Sequence, residues 1–254
     1  MNQSFHQLIV FMLAFARVAT ILAVIPVFGY RAVPVAIKAG LAGLAIIAIF
    51  PIIDKNISIP VSLLPFFLVV LKEVAIGLVI GFSAQFIFAG VQYAGEIVGI
   101  DIGFGIVNIV DPSSGEQVSI IAEFKYILVI LIFLTISGHH FFMQAIKHSY
   151  LILPINTATF PGIVMSKIIE MSRDIFSITI KIAGPAIITL FIANFIMGII
   201  ARTVPQMNIF IVGFPLKISV GLIIMILSMP LIGYVFIKLV EGLKRDIVQV
   251  IEIL

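Results

Sequence analysis

The sequence contains no cysteine and no tryptophan, and only 11% of its 254 residues are charged. Without cysteine the chain can form neither a disulfide nor a thiolate metal site, and it has no cysteine nucleophile. Its 15 lysines and arginines exceed its 12 acidic residues only slightly, and they form no dense basic run. Binding of nucleic acid is therefore not expected.

Apolar residues dominate instead, at 62% of the chain, where a soluble domain has about 45–50%. Six apolar stretches approach or exceed the ~20 residues that cross a bilayer as a helix: 8–28, 35–53, 61–91, 126–146, 175–200 and 209–240. None shows the alternation of outer-membrane strands, so helices must satisfy the backbone in lipid. We expect an all-α, polytopic membrane protein of about six long, partly broken helices and helical hairpins.

Two of these stretches exceed the length of one span and contain features that can interrupt a helix. Lys72 and Glu73 are expected to divide the third stretch into a short and a longer half. Pro215 and Pro230 lie in the sixth, where a missing N–H and the ring would kink or end a helix. Residues 238–254 form an amphipathic tail with mixed charge, as in a short interfacial or partner-binding helix.

Five charged residues interrupt apolar stretches: Arg17, Lys72, Glu73, Lys181 and Lys217. At the centre of a bilayer each would cost about 2.5–3.5 kcal/mol. Lys72 and Lys217 lie near expected breaks, so either extension to the interface or burial against protein accounts for them. Arg17 and Lys181 lie deeper, and we expect both as buried charges in a protein or water-filled environment. The chain is therefore expected to need partners.

Residues that could carry catalysis do not form a recognisable set. His139 and His140 are adjacent, so on a helix they point about 100° apart and make a poor metal pair. Neither a His-Glu-x-x-His run nor paired aspartates on facing helices occur, and Ser113 lacks the flanking helices and histidine of an intramembrane protease. We expect no enzyme activity, no metal site and no cofactor.

Glycines recur four residues apart at Gly77 and Gly81, and again at Gly95, Gly99 and Gly103. This spacing places them on one helix face, where another backbone can approach closely. Flexibility near a loop is the alternative interpretation.

Residues 90–117 are more polar than the rest of the chain. They form either an aqueous loop or a segment that lines or closes a pore, because irregular backbone at membrane depth needs protein or water beside it. Ile106, Val107, Ile109 and Val110 lie among glycines and polar residues, and they would suit a flexible hydrophobic stopper.

Three stretches together resemble the FliR family of flagellar export proteins, which is related to the SctT subunit of virulence type III secretion. The first runs from Gly103-Phe104-Gly105 to Asp111-Pro112-Ser113-Ser114-Gly115, and the second from Phe133 through Gly138-His139-His140 to Leu153-Pro154-Ile155. The third is Pro205-Gln206-Met207-Asn208-Ile209-Phe210-Ile211-Val212-Gly213-Phe214-Pro215-Leu216-Lys217-Ile218, continuing to Gly221. The resemblance in length and segment pattern covers essentially the whole chain.

This resemblance implies a core subunit of the flagellar type III protein-export gate, in the bacterial inner membrane within the flagellar basal body. It implies one hetero-oligomer with copies of FliP and FliQ, forming the channel for unfolded flagellar proteins. FlhB and FlhA are implied neighbours, together with membrane lipid. The fold would look like FliP-like and FliQ-like elements joined in one helical domain, residues 1–254, with a polar, glycine-containing loop at about 103–120.

The resemblance also implies residue roles. A loop that plugs the closed channel maps onto Gly105, Ile106, Val107, Asn108, Ile109, Val110, Asp111, Pro112 and Gly115. Subunit packing or a bend is expected at Gly95, Gly99, Gly103, Pro205, Gln206, Phe210, Gly213, Phe214, Pro215 and Lys217. Lys217 would pair with a carboxylate or carbonyl of a partner.

Two other functions are weighed against this one. A secondary transporter or ion channel for a small solute would also use broken helices and intramembrane charges, but it predicts a midplane site and two similar halves. The two halves of the chain show no convincing repeat. An intramembrane enzyme would need a nucleophile, base or metal set, which the sequence does not supply.

Overall fold

The computed structural model describes residues 3–29, 33–55, 57, 60, 62–104, 119–206 and 208–254. Of these residues 88% are helical and none forms a strand. They form eight α-helices in chain order: α1 Gln3–Val24, α2 Pro26–Gly29, α3 Val35–Ile49, α4 Leu63–Ile102, α5 Ile120–Thr135, α6 Gly138–Ile152, α7 Gly162–Thr203 and α8 Ile209–Ile253. A 3₁₀ turn, Phe50–Ile52, continues α3.

Five described segments are long and apolar enough to cross a membrane: α1, α3 with its 3₁₀ turn, α4, α7 and α8. The pair α5 and α6 counts as a sixth if the two bent helices form one span. This confirms the predicted class, an all-α polytopic membrane protein with about six apolar segments.

The described residues pack as two compact units. The first contains residues 1–86, 133–172 and 240–254, and the second contains residues 87–132 and 173–239, apart from the residues outside the described ranges. The chain passes between the units within α4, α5, α7 and α8. The prediction of a single domain over residues 1–254 stays a prediction.

The first unit is built on α1, whose buried residues recur every three or four positions as an amphipathic helix requires: Val10, Leu13, Ala14, Arg17, Val18, Ile21 and Leu22. Helix α3 packs against α1 and buries Ala42, Ala45, Ile46 and Ile49. The Phe11 and Phe50 rings meet edge to face, with centroids 5.4 Å apart.

The core of the second unit centres on Phe88 in α4, which is fully buried. Its ring meets that of Tyr126 in α5 at 6.1 Å and that of Phe236 in α8 at 5.3 Å, both edge to face. Edge-to-face aromatic pairs add about 0.5–1.5 kcal/mol beyond area burial. Helix α7 contributes further buried side chains, namely Ile178, Ile182, Ala183, Ala186 and Leu190.

The predicted apolar stretch 126–146 is divided rather than continuous. Helix α5 ends at Thr135 and α6 begins at Gly138, with a bend of 69° between them. Ser137 adopts the left-handed conformation, φ 58°, which ends an L-residue helix. The next position requires glycine, because a Cβ on Gly138 would overlap the ring of Phe133.

The expected division of the third stretch at Lys72 and Glu73 is wrong. Helix α4 continues through Lys72 and Glu73, which are both good helix formers. Helix α8 continues through Pro215 and Pro230, since a proline removes one hydrogen bond while the flanking bonds persist. Neither proline ends the helix, and the expected kink stays a prediction.

The C-terminal tail is likewise not a separate helix, because residues 238–253 are the last turns of α8. Its apolar face is buried in the first unit, with Val240, Leu243 and Ile247 at most 1% exposed. The Thr159 N–H donates to the Leu254 carbonyl at 2.7 Å. The face that was expected to meet a membrane surface or a partner is thus covered by this chain.

Candidate functional site

The glycines of α4 lie at close helix contacts. A Cβ on Gly95 would meet Ala122 Cα and lie 2.9 Å from Ala122 N, and a Cβ on Gly99 would overlap Ser119 Oγ. Only glycine admits such an approach. The close packing that the spacing predicts is therefore present in the second unit, but the neighbour is the chain's own α5 region. The expected subunit packing at Gly95 and Gly99 stays a prediction.

Gly103 ends α4 with φ +106°. Its N–H donates to the Ile100 carbonyl at 3.0 Å, and the Phe104 N–H donates to the Gly99 carbonyl at 3.0 Å. This pair of bonds is the Schellman arrangement, in which a left-handed glycine follows the helix. A Cβ on Gly103 would also lie 2.9 Å from the Phe214 ring. Gly103 is thus required by its backbone conformation and by its contact.

The bend expected between Pro205 and Lys217 is confined to the start of that stretch. Helix α7 ends at Thr203 and α8 begins at Ile209, so only Pro205 and Gln206 lie in the connection, where both are exposed. The remaining residues of the prediction lie inside α8, where Gly213 is buried, Phe214 is half-buried and Pro215 is exposed. Lys217 is half-buried, and the side chain of Phe210 lies outside the described part of the structure.

Arg17 lies at the centre of a buried polar cluster in the first unit. Its Nε donates to Glu73 Oε2 at 2.7 Å, and both side chains are 0% exposed. Its Nη1 donates to the carbonyl of Ser149 at 3.1 Å and to that of Leu153 at 3.0 Å. The cluster joins α1 and α4 to the end of α6, which gives Arg17 a protein environment within its own chain.

Two further residues complete this cluster. The Tyr150 ring lies 4.3 Å from Arg17 Cζ, within range of a cation–π contact. The Tyr150 hydroxyl donates to the Ala14 carbonyl at 2.8 Å. The Asn156 N–H donates to Glu73 Oε1 at 3.2 Å, so both carboxylate oxygens of Glu73 are used.

Comparison with known proteins shows the family to which this chain belongs. The family described as bacterial export proteins, family 1, matches residues 8–243. The flagellar biosynthetic protein FliR of Bacillus subtilis is 34% identical over 226 residues, which are 87% of this chain and 86% of that protein. The chain belongs to the FliR family.

Other members of the FliR family extend the comparison. The protein of Escherichia coli is 32% identical over 85% of this chain and 83% of its own length. That of Aquifex aeolicus is 29% identical over 89% of this chain and 87% of its own length. As a FliR family member, this chain is a component of the bacterial flagellar biosynthesis and export apparatus.

The predicted plug residues lie outside the described part of the structure: Gly105, Ile106, Val107, Asn108, Ile109, Val110, Asp111, Pro112 and Gly115. The described chain ends α4 at Ile102, continues to Phe104, and resumes at Ser119 just before α5. The plug stays a prediction for this FliR family member.

The second predicted buried charge, Lys181, is exposed on α7. The described residues leave it exposed, and its burial in the assembled protein stays a prediction. Lys72, also in an apolar stretch, is half-buried.

Lys125 in α5 is a buried charge that the sequence did not indicate, because it lies between two predicted apolar stretches. It is 2% exposed, and its Nζ donates to the Ala94 carbonyl at 3.5 Å. Helix α5 begins six residues before the predicted stretch 126–146. Recognising the apolar face of that longer helix in the sequence could have revealed Lys125 as a buried charge.

Among the described residues no group of three or more histidines, aspartates or glutamates could hold a metal ion. The His139 and His140 rings lie 4.2 Å apart, at the start of α6.

Proposed function

We propose that this FliR family member is a core subunit of the flagellar type III protein-export gate. It forms one hetero-oligomer with copies of FliP and FliQ, and unfolded flagellar proteins pass through the resulting channel. The assembly lies in the bacterial inner membrane, within the flagellar basal body, with FlhB and FlhA as neighbours.

The observation that carries this proposal is the extent of exposed apolar surface on α4. Leu63 is 87% exposed and Ile100 is 64% exposed, and Ile100 lies 37 residues after Leu63, which corresponds to about 56 Å of helix rise. Further exposed side chains lie between these ends, namely Phe67, Leu68, Leu71, Phe82, Tyr93 and Ile97. The hydrocarbon core of a bilayer is only about 30 Å thick.

Tilting does not remove this mismatch. At about 40°, the upper end of the observed range, the hydrocarbon core holds only about 26 helical residues, whereas α4 has 40. Lipid therefore cannot cover all of these side chains, and leaving them in water would expose more apolar area than a soluble surface carries. Other protein subunits are the covering that this length favours.

Helix α7 offers a second exposed apolar surface, within the second unit. Its exposed side chains include Phe176, Ile180, Ile188, Phe191, Phe195 and Ile199. Lys181 lies among them and is also exposed. We assign this face to a neighbouring subunit that supplies a carboxylate or a carbonyl to Lys181, because an ammonium next to apolar surface needs such a partner.

For residues 105–117 we propose the role of a plug in the closed channel. The support is the FliR family membership, together with four apolar side chains between glycines and polar residues. Opening would displace the loop and would make or break no covalent bond. This role is that of a structural export component rather than of an enzyme.

The first experiment tests assembly. The chain is co-expressed with FliP and FliQ, purified from detergent-solubilised membranes, and the mass of the intact complex is measured. We expect a stable large assembly that contains all three proteins. A chain that is recovered alone or as a small homo-oligomer would instead favour the solute-transporter interpretation.

A second experiment tests the plug. Deleting residues 106–110 should make membranes leaky to small ions while the complex still assembles. A matched variant replaces Ile106 and Ile109 with leucine, which keeps the apolar volume, and this variant should stay sealed. An intact seal after the deletion, in a complex of unchanged mass, would contradict the plug role.

A further inference from the structure

We propose that Arg17 and Glu73 form a polar lock that holds residues 149–156, the end of α6 and the turn after it, against α1 and α4. The lock acts on that segment and is not a general staple of the first unit. This inference is independent of the proposed channel, since it rests on contacts within the chain.

The contacts show that the pair recognises backbone groups of this segment. Arg17 Nη1 donates to the carbonyls of Ser149 and Leu153, and Glu73 Oε1 accepts from the Asn156 N–H. Leu153 follows the last residue of α6, where a carbonyl has no acceptor role left in the helix ladder. Arg17 thus satisfies the Leu153 carbonyl, which the helix leaves over at its end, and adds a second donor to the Ser149 carbonyl, which also accepts from the Leu153 N–H at 2.9 Å. Glu73 satisfies the Asn156 N–H in the turn that follows.

The turn after α6 has a conformation that its local sequence does not favour by itself. Asn156 has φ 70°, a region that few non-glycine residues occupy, although asparagine tolerates it better than most. Its N–H is the group that Glu73 binds. The carboxylate is therefore placed to hold this turn in its left-handed conformation.

The polarity of the lock is fixed by the backbone. The Arg17 side chain meets two carbonyl oxygens, which only a donor can satisfy, whereas the Glu73 side chain meets an N–H, which only an acceptor can satisfy. Exchanging the two charges would preserve their mutual attraction but would place each one against backbone groups of the wrong kind. A simple electrostatic staple would tolerate this exchange, and the lock would not.

A chain without cysteine allows a direct test by single-cysteine labelling. One reporter replaces Ile155 in the turn, and a control reporter replaces Leu243 near the end of α8, since each residue is 1% exposed and both lie in the first unit. Maleimide labelling rates are measured in membranes of cells that express the full export apparatus. Each reporter is compared with and without Glu73→Gln.

We expect Glu73→Gln to raise the labelling rate at position 155 by about tenfold or more, because a buried arginine loses its counter-charge and the segment opens locally. Labelling at position 243 should stay unchanged. A parallel rise at both positions would show that the pair stabilises the whole unit, and no rise at position 155 would show that other contacts hold the turn. Either result overturns the proposal.

Two further variants keep the test decisive if Glu73→Gln does not accumulate. Arg17→Lys keeps the charge but loses the planar fork that reaches the carboxylate and two carbonyls together, so position 155 should again label faster. The exchange of Arg17→Glu with Glu73→Arg should leave position 155 as accessible as the single variants do. Restored protection in the exchanged protein would overturn the argument from polarity.

Discussion

Replacing Gly95 with alanine should force α4 and α5 apart, because the added Cβ would meet backbone atoms. It would touch Ala122 Cα and lie 2.9 Å from Ala122 N and 3.0 Å from Ala122 Cβ. Nonbonded carbon atoms have their optimal separation at about 3.5–4.0 Å. A side chain could rotate away from this overlap, but backbone atoms cannot, so α5 itself must move.

The expected change in the free energy of unfolding follows from two opposing contributions. Overpacking a well-packed site costs about 1–3 kcal/mol. We place the cost of Gly95→Ala at about 3 kcal/mol, because the atoms that obstruct the new Cβ belong to the backbone. Alanine also gains about 1 kcal/mol over glycine in helix propensity, which leaves a net loss of about 2 kcal/mol.

Gly198 in α7 is the matched control in the same unit, since a Cβ there would meet no described residue within 4 Å outside its own stretch of helix. Gly198→Ala should therefore gain about 1 kcal/mol.

The free energy of unfolding is measured for the purified chain in detergent micelles, by denaturant titration followed through helical circular dichroism. The two variants should differ by about 3 kcal/mol, which is the packing cost alone. Equal effects at Gly95 and Gly198, or a gain at Gly95, would refute the close approach of Ala122 to α4.

Three other predictions use the same preparation. Tyr150→Phe should lower the free energy of unfolding by about 1 kcal/mol, because the hydroxyl donates to the Ala14 carbonyl at 2.8 Å; an unchanged value would contradict this contribution. Phe236→Ala should lower it by about 3–5 kcal/mol, since the ring is fully buried 5.3 Å from that of Phe88, and a loss below that range would argue against this core. Lys181→Ala should change the free energy of unfolding by less than about 0.5 kcal/mol, as for other exposed side chains. In co-expression it should lower the fraction of the chain that is recovered with FliP and FliQ. Normal recovery would count against a partner at Lys181.

The apolar stretches of the sequence predicted which segments form helices better than they predicted where each helix begins and ends. The stretch 175–200 corresponds to α7, Gly162–Thr203, which begins 13 residues earlier. The added turns contain Lys167, Glu170 and Asp174, and a search for apolar residues does not register such turns as helix. Lys167 Nζ lies 3.0 Å from Asp246 of α8, a contact that depends on the folded arrangement of residues far apart in the chain.

Helix breaks were predicted poorly for a related reason. Lys72 and Glu73 indicated a division of α4 that the structure does not contain, and Pro215 and Pro230 do not end α8. The break between α5 and α6 lies at Ser137, which adopts the left-handed conformation without being glycine. The Phe133 ring fills the space beside the next residue, Gly138. Such a break depends on side-chain packing around the turn, which a count of apolar residues does not include.

Arg17 and Lys181 show where inference from one sequence stops. Each is a single charge inside an apolar stretch, so the sequence alone does not distinguish the two. Arg17 is 0% exposed because Glu73, 56 positions away, supplies its counter-charge, although Glu73 was itself interpreted as a helix break. Because desolvating a lone charge costs several kcal/mol, such a residue indicates a partner without indicating which chain carries it. Lys181 is exposed in the described part of the chain, and its pairing with a carboxylate or carbonyl of another subunit stays a proposal.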